Sequence, residues 1–587
     1  LQFKMKISPT KTISISGLFV IFIILIIMHN SDKKKFDKIR ESYLEWYFRS
    51  NPVTATWIGI HTYDSKLPSN RKEDYIQDLT ITESFLVQLK KLNPEILNKN
   101  DQVDYDLLIH SLDKNIFHLR EIKSHTWNPT GPVWTIGSGY ETLMGYTFAP
   151  KEERAVSLKR RIEATPEYLE NAEAILNIMP APHLETAIKQ CDGLISVMDE
   201  ELKAFINDLN SDLAENLQQA GEKASEAIKK YQKFLKEKLE SGPHRDFRLG
   251  ENLYSQLLPY TLNEGISAKE VMNRAISELK SVQFEMLDLA IPLYEKLFGK
   301  TPGVRSHDEQ LKVIKKVLDS IADDHVERHE VVENAQATID ELNQFIIDKD
   351  LLTLDSSKPL EIRETPEYQR GFSIASLQAP GPLEDNLPTF YNVSPVPEDW
   401  SDEKAESFLR EYNKISVKIL SIHEALPGHY VQLYYSNRHP SILRSVLGSG
   451  VMVEGWAHYT EGMMIEEGFG DGDPRYRLVQ MKWKLRGIAN AIIDQKIHAD
   501  NMTKEEAIEL MVKETFQEDA EATAKWRRAQ LSFGQLSTYF VGSTLMWDLK
   551  RDIEKDRGNE FNLKEFHEEL LSHGSIPIRH LRRLMLD

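Results

Sequence analysis

Two histidines, His423 and His429, stand six residues apart with Pro427 and Gly428 between them, in the segment His423-Glu-Ala-Leu-Pro-Gly-His429. This spacing constrains the local fold more than any other feature of the chain. On an undistorted helix, positions i and i+6 lie about 120° apart, too far for both rings to reach one point. A spacing of four would place them about 40° apart on one face. Pro427 lacks an N–H, and its ring clashes with the carbonyl four residues back, which is that of His423. A helix entering this segment must therefore bulge, or break and restart, between Glu424 and His429. The sequence permits a bulge that returns His429 to the His423 face.

A second stretch follows within about forty residues, Glu454-Gly-Trp-Ala-His-Tyr-Thr-Glu461. Glu454 and His458 are four apart and Glu454 and Glu461 seven apart, so all three share one helical face. Val451, Met452, Val453, Trp456, Met463 and Met464 surround them, which argues against a solvated stripe. Two imidazoles and one carboxylate are the ligand set of a catalytic zinc ion, with a fourth position left for water. His423, His429 and Glu454 are the predicted ligands of one zinc ion per chain. His458 or Glu461 is predicted to orient a ligand from behind. Glu424, directly after the first histidine, stands where a zinc hydrolase carries its general base.

The two stretches together resemble the bacterial domain-of-unknown-function family 885, whose members pair H-E-x-x-P-G-H with a downstream E-G-W-A. Residues 486–498, 528–542 and the H-G-S-I-P-I run near 573 are similar to later blocks of the family, so the resemblance covers most of the chain after about residue 40. Phe533 stands where the family often has Pro, and Tyr430 where it often has a second His. The family looks like a distant relative of the gluzincin metallopeptidases. That implies a mainly α fold, a large helical body with a central cleft and a few short strands. It also implies a late tyrosine that steadies the oxyanion of amide hydrolysis, and Tyr539 in Gly534-Gln-Leu-Ser-Thr-Tyr539 is the match. A core tyrosine is the alternative. His498 and Arg528 lie in the later blocks and are candidates for binding a substrate carboxylate, with structural ion pairing as the alternative.

Helical periodicity runs through 36–48, 70–92, 101–122, 152–240, 267–298, 306–322 and 326–348. Pro180-Ala-Pro182 and Ser241-Gly-Pro-His244 are breaks between helices. Residues 360–397 lose the helical period and gain proline, β-branched and aromatic residues, which predicts short strands or an extended lining. The Gly- and aromatic-rich patch Trp127–Tyr140 reads the same way. Both patches are candidates to bound a peptide-binding cleft, since a strand edge holds an extended peptide. Tyr391 and Asn392 are candidate substrate contacts within the first.

At 587 residues, 41% hydrophobic, the chain is long enough for one large body or several units. The expected division is a signal or anchor segment at 1–30 and a helical metallohydrolase domain at 31–587, with two lobes meeting near 241–260. A net charge of −19 disfavours nucleic acid as a partner, because tracking phosphates needs a basic face. The one cysteine, Cys191, permits neither an internal disulfide nor a thiolate zinc site. Lys4, Lys6 and Lys11 precede an apolar run from Ile13 to Met28, a basic head and apolar core that predict export to the cell envelope. The lack of a small-residue cleavage site favours an uncleaved anchor over a cleaved signal peptide. Lys33, Lys34, Lys35, Lys38 and Arg40 after the run oppose export by the positive-inside rule. Together these features predict a zinc-dependent peptidase of the envelope. The rivals are a non-catalytic peptide-binding protein and a metal-dependent hydrolase of a non-peptide amide or ester.

Overall fold

The structure, a computed structural model, describes residues 15–358, 360–365, 375–384 and 387–586, the first of them (15–31) by backbone alone. The fold is mainly α, with three short strands among the described residues. The predicted helices appear close to their expected bounds, as Lys72–Leu89, Lys99–Phe117, Ala268–Phe298, His307–Ala322 and Val331–Asp348. Each carries apolar residues at three- and four-residue spacing, and those residues are the buried ones; Leu311, Ile314, Leu318 and Ile321 are one such row. Serine or asparagine caps set several starts, as Ser267 does with Glu270 in a reciprocal capping box.

The patch at 127–140 corrects the sequence reading. It is not extended: Thr130–Gly145 is a helix. Tertiary packing overrides the low helix propensity of its glycines. The helix buries Val133, Ile136, Tyr140 and Leu143, and its Gly139 admits Val53 and the guanidinium of Arg161 close to the backbone.

Apolar side chains between Val133 and Leu235 form one cluster. Those from Tyr254 to Met585, joined by Val103 and Leu107, form a larger one. The long first helix, Ile15–Ser50, adds Phe36, Ile39, Tyr43 and Trp46 to a smaller cluster with Phe85 and Leu108. The predicted anchor at 13–28 lies outside the residues whose side chains are described. Among the described residues no helix is long and apolar enough to cross a membrane.

The sheet occupies the stretch where periodicity was lost: β1 (Leu360–Glu364), β2 (Ala375–Gln378) and β3 (Thr389–Val393). Their order is β1-β3-β2, with β1 parallel and β2 antiparallel to β3. The motif helix Lys414–Glu424 packs beside β2. Behind it, the helix Gly450–Glu466 lies against Ser537–Arg557 at very close range. A Cβ on Gly455 would fall 2.6 Å from the backbone of Gly542, so only glycine fits at this crossing.

Candidate metal centre

The motif helix starts at the Asn413 cap, whose side chain accepts from Ser416 N at 3.1 Å, and ends at Glu424. The next helix begins at His429. The chain therefore breaks and restarts between them. Gly428 makes the break tight, because a Cβ there would sit 1.8 Å from the His423 carbonyl oxygen. Trp456 fixes the turn from the opposite side: its Nε1 donates to the Pro427 carbonyl at 2.9 Å. The result brings the i and i+6 rings together edge-on, centroids 4.8 Å apart and planes at 87°.

The helix Gly450–Glu466 supplies the carboxylate. Glu454 Oε2 lies 3.7 Å from His423 Nε2 and 3.7 Å from His429 Nε2. Ligand atoms of all three residues lie within 4.8 Å of one another. Zinc bonds of about 2.0–2.2 Å set tetrahedral ligand atoms about 3.3–3.6 Å apart. The observed spacing is close to that, and too long for direct hydrogen bonds. Glu454 Oε2 is buried with no hydrogen-bond partner, as is Nδ1 of His429. A buried carboxylate oxygen without a partner is costly, and a cation at this point removes the cost.

Glu461 stands behind the ligands, fully buried. Its Oε1 accepts from His423 Nδ1 at 2.8 Å and lies 2.9 Å from His458 Nδ1. Holding the proton on Nδ1 turns the Nε2 lone pair of His423 towards Glu454, the tautomer a metal requires. His423, His458 and Glu461 are also close enough to hold an ion. Their facing atoms are already taken up by these two contacts, which leaves the trio suited to support rather than to a second ion.

The electrostatics fit the same arrangement. Burial pushes His429 down to about 4, leaving a neutral ring at pH 7. Burial opposes a charge on His423, yet flanking Glu454 and Glu461 raise its pKa well above the usual histidine value in the metal-free chain. Burial also works against ionised Glu454, but His423 and His429 hold it at about 2. Glu424 is raised to about 7 by burial, which the nearby His423 and the Leu377 amide of β2 partly offset. A carboxyl poised near neutrality beside two candidate metal ligands suits proton transfer.

Tyr539 lies on the far helix of the Gly455–Gly542 crossing, its ring edge-on to His458 at 5.7 Å. Arg528 Nη2 donates to its hydroxyl at 2.8 Å, which leaves the phenol proton for another acceptor. Tyr539 and His458 line a polar cavity of about 230 Å³ with Arg477 and Lys484. Arg528 is exposed and its guanidinium meets only neutral partners, Tyr539 and Gln535. The remaining candidates sit elsewhere. The Tyr391 hydroxyl is buried against Ser421 Oγ at 3.0 Å, tying β3 to the motif helix. Asn392 is buried and accepts from Arg363 Nε at 2.7 Å within the sheet. His498 bonds the carbonyls of Ala529 and Ser532 and packs on Tyr254.

Sequence reasoning missed Asp494. Fully buried, it accepts from Gly534 N, Ser537 N and Ser537 Oγ, and so fixes the turn that launches the Tyr539 helix. Its only signal was an acid inside an otherwise apolar helical run. The Leu377 amide at Glu424 carried no signal at all.

Residues 52–585 match the model of a family described as bacterial protein of unknown function, DUF885. The chain belongs to this family. Two solved structures share its fold, both described as putative lipoproteins. One, of unknown function from Shewanella oneidensis, is 36% identical with a TM-score of 0.81, covering 94% of this chain and 100% of its own. The other, from Colwellia psychrerythraea, is 17% identical with a TM-score of 0.77, covering 95% and 98%. No curated protein matches the chain.

Proposed function

We propose that this DUF885 protein is a zinc-dependent hydrolase, in the first place a gluzincin-like peptidase. The observation that carries the reading is the convergence of His423 Nε2, His429 Nε2 and an unpartnered Glu454 oxygen, with Glu424 beside them. Zinc bound by these three residues would supply Lewis-acid polarisation of a water and of the scissile carbonyl. Glu424 accepts the proton of the attacking water and returns it to the leaving amine. Its burial keeps the acid and base forms close in energy near pH 7. Tyr539 donates its free phenol proton to the developing oxyanion, steadied in place by Arg528. Glu461 keeps His423 in the tautomer that can bind metal.

The basic head and apolar run at the start of the sequence, with two solved relatives described as lipoproteins, support a location in the cell envelope. The single cysteine, Cys191, is buried in the helical body and offers no site for a lipid.

Glu424→Gln tests the chemistry. It removes the base but no ligand, so zinc content should be unchanged while peptide hydrolysis falls by about 10²–10⁴-fold. Equal turnover by wild type and variant would exclude Glu424 as the base. Failure of the wild type to cleave peptides, amides or esters would leave a binding protein.

A further inference from the structure

Two large cavities lie where the first helices meet the body. One, of about 930 Å³, is lined by Trp46 and by the exposed rings of Trp57 and Trp134. The other, of about 580 Å³, runs along one face of the Lys99–Phe117 helix and reaches Ser449 and Gly450. Trp46, Asn51 and Asp78 line both, so the two join in a single groove. The groove reaches two elements that hold or support the metal centre. Gly450 opens the helix that carries Glu454 one turn further on. At the other end, a Cβ on Gly381, just past β2, would lie 1.7 Å from the Trp57 carbonyl, so the strand loop is seated on this wall.

Two charged side chains on the groove are half-buried and make no hydrogen bond or ion pair with any described residue: Asp78 and Lys114. They do not pair with each other. Burial and the neighbouring Asp74 push Asp78 up to about 6, and burial lowers Lys114. Both shifts register the cost of desolvating a charge that nothing compensates. His110 and His118, one turn to either side of Lys114, line the same cavity and supply no counter-charge. An unpaired carboxylate and an unpaired ammonium on one groove are complementary to a ligand that carries both charges. A cation alone would leave Lys114 unmatched, and an anion alone would leave Asp78 so.

We infer that the groove binds short peptides with free termini, the α-ammonium group held by Asp78 and the terminal carboxylate by Lys114. The inference rests on the peptidase reading for the class of ligand, and it narrows that class to small zwitterionic peptides. Charge-assisted contacts of this kind contribute both affinity and orientation.

Calorimetric titration tests it on the full chain carrying Glu424→Gln, so that binding is read without turnover. Tri-alanine is compared with its N-acetyl and C-amide forms. Each blocked peptide should bind about 10- to 100-fold more weakly. Asp78→Asn should erase the penalty for N-acetylation alone, and Lys114→Gln the penalty for amidation alone. Equal affinity for all three peptides, or no binding of any, overturns the inference. So does a uniform loss across all three in either variant. The comparison of blocked and free peptides needs no groove variant, so misfolding of one cannot obscure it. Charge-selective binding without hydrolysis in the wild type would sink the peptidase reading alone.

Discussion

Glu461 shows how much of the centre depends on a residue that touches no proposed reactant. One oxygen organises two imidazoles, and the other, Oε2, is buried without a partner. Glu461→Gln keeps the volume and one acceptor oxygen but removes the negative charge that holds the proton on His423 Nδ1. Zinc affinity should fall by about 10–100-fold, measured by competition with a chelator. Unchanged affinity would show that His423 is oriented by packing alone. Tyr539→Phe separates catalysis from packing. Because the hydroxyl is held only by Arg528 and Gln535 at the surface of a cavity, its loss should lower kcat by about 10²–10³ with little change in KM or melting temperature. A drop in melting temperature with kcat intact would make Tyr539 a structural residue. At this scale Glu454 and Glu461 were legible because their spacing shares one helical face, and His423 and His429 because Pro427 breaks the helix between them. Tyr391 and Asn392 were not: their proximity to the motif in sequence says nothing of their burial, and both are buried, Tyr391 against the motif helix and Asn392 against Arg363 on the opposite face of the sheet. His498, a candidate for a substrate carboxylate, instead bonds the carbonyls of Ala529 and Ser532.

The elements that hold these residues owe their geometry to a few small or charged positions. Gly455 and Gly542 let two helices touch backbone to backbone. Gly455→Ala should lower the melting temperature and, because Glu454 is the adjacent residue, weaken zinc binding in the same variant. The helix Asp519–Leu531 contains Lys525, buried beside Arg486 and Glu521. Burial, reinforced by Arg486, pulls its pKa from the ordinary 10.5 to about 7. Between those values the unfolded chain binds a proton that the folded chain lacks, so this group makes stability rise with pH across the window; its penalty is complete below about 7. Lys525→Met should flatten the rise in denaturation midpoint between pH 7 and 9, and parallel slopes in both proteins would refute the buried neutral lysine. The break at Pro427 was legible because proline chemistry is local. The helix Thr130–Gly145 was not, because its glycines are helical only by virtue of the chains packed against them.

Across the whole molecule, the mainly α fold followed from periodicity, since amphipathic helices bury their apolar rows wherever they dock. Sheet topology did not follow: the parallel pairing of β1 with β3 joins residues 29 apart, and the pairing of β2 on the other side of β3 joins residues 12 to 18 apart. Long-range closure was equally invisible. Arg444, nearly inaccessible, bonds Asp104 Oδ1 at 2.7 Å and the His573 carbonyl at 2.8 Å, joining the first helices to the last. Arg444→Met would leave buried Asp104 with only the more distant cation Arg40, at 3.9 Å, and should cost about 3–5 kcal/mol in a denaturation experiment. A loss below about 1 kcal/mol would show that water reaches Asp104 in the native state. The proposed centre is one ion held by three helices, two of them set together by the break at Pro427-Gly428. Elemental analysis of the purified chain tests this most directly. About one zinc per chain is expected in the wild type and in Glu424→Gln, with loss of the metal in His423→Ala and in His429→Ala. Zinc retained by both histidine variants, or absent from a folded wild type supplied with zinc, would contradict it.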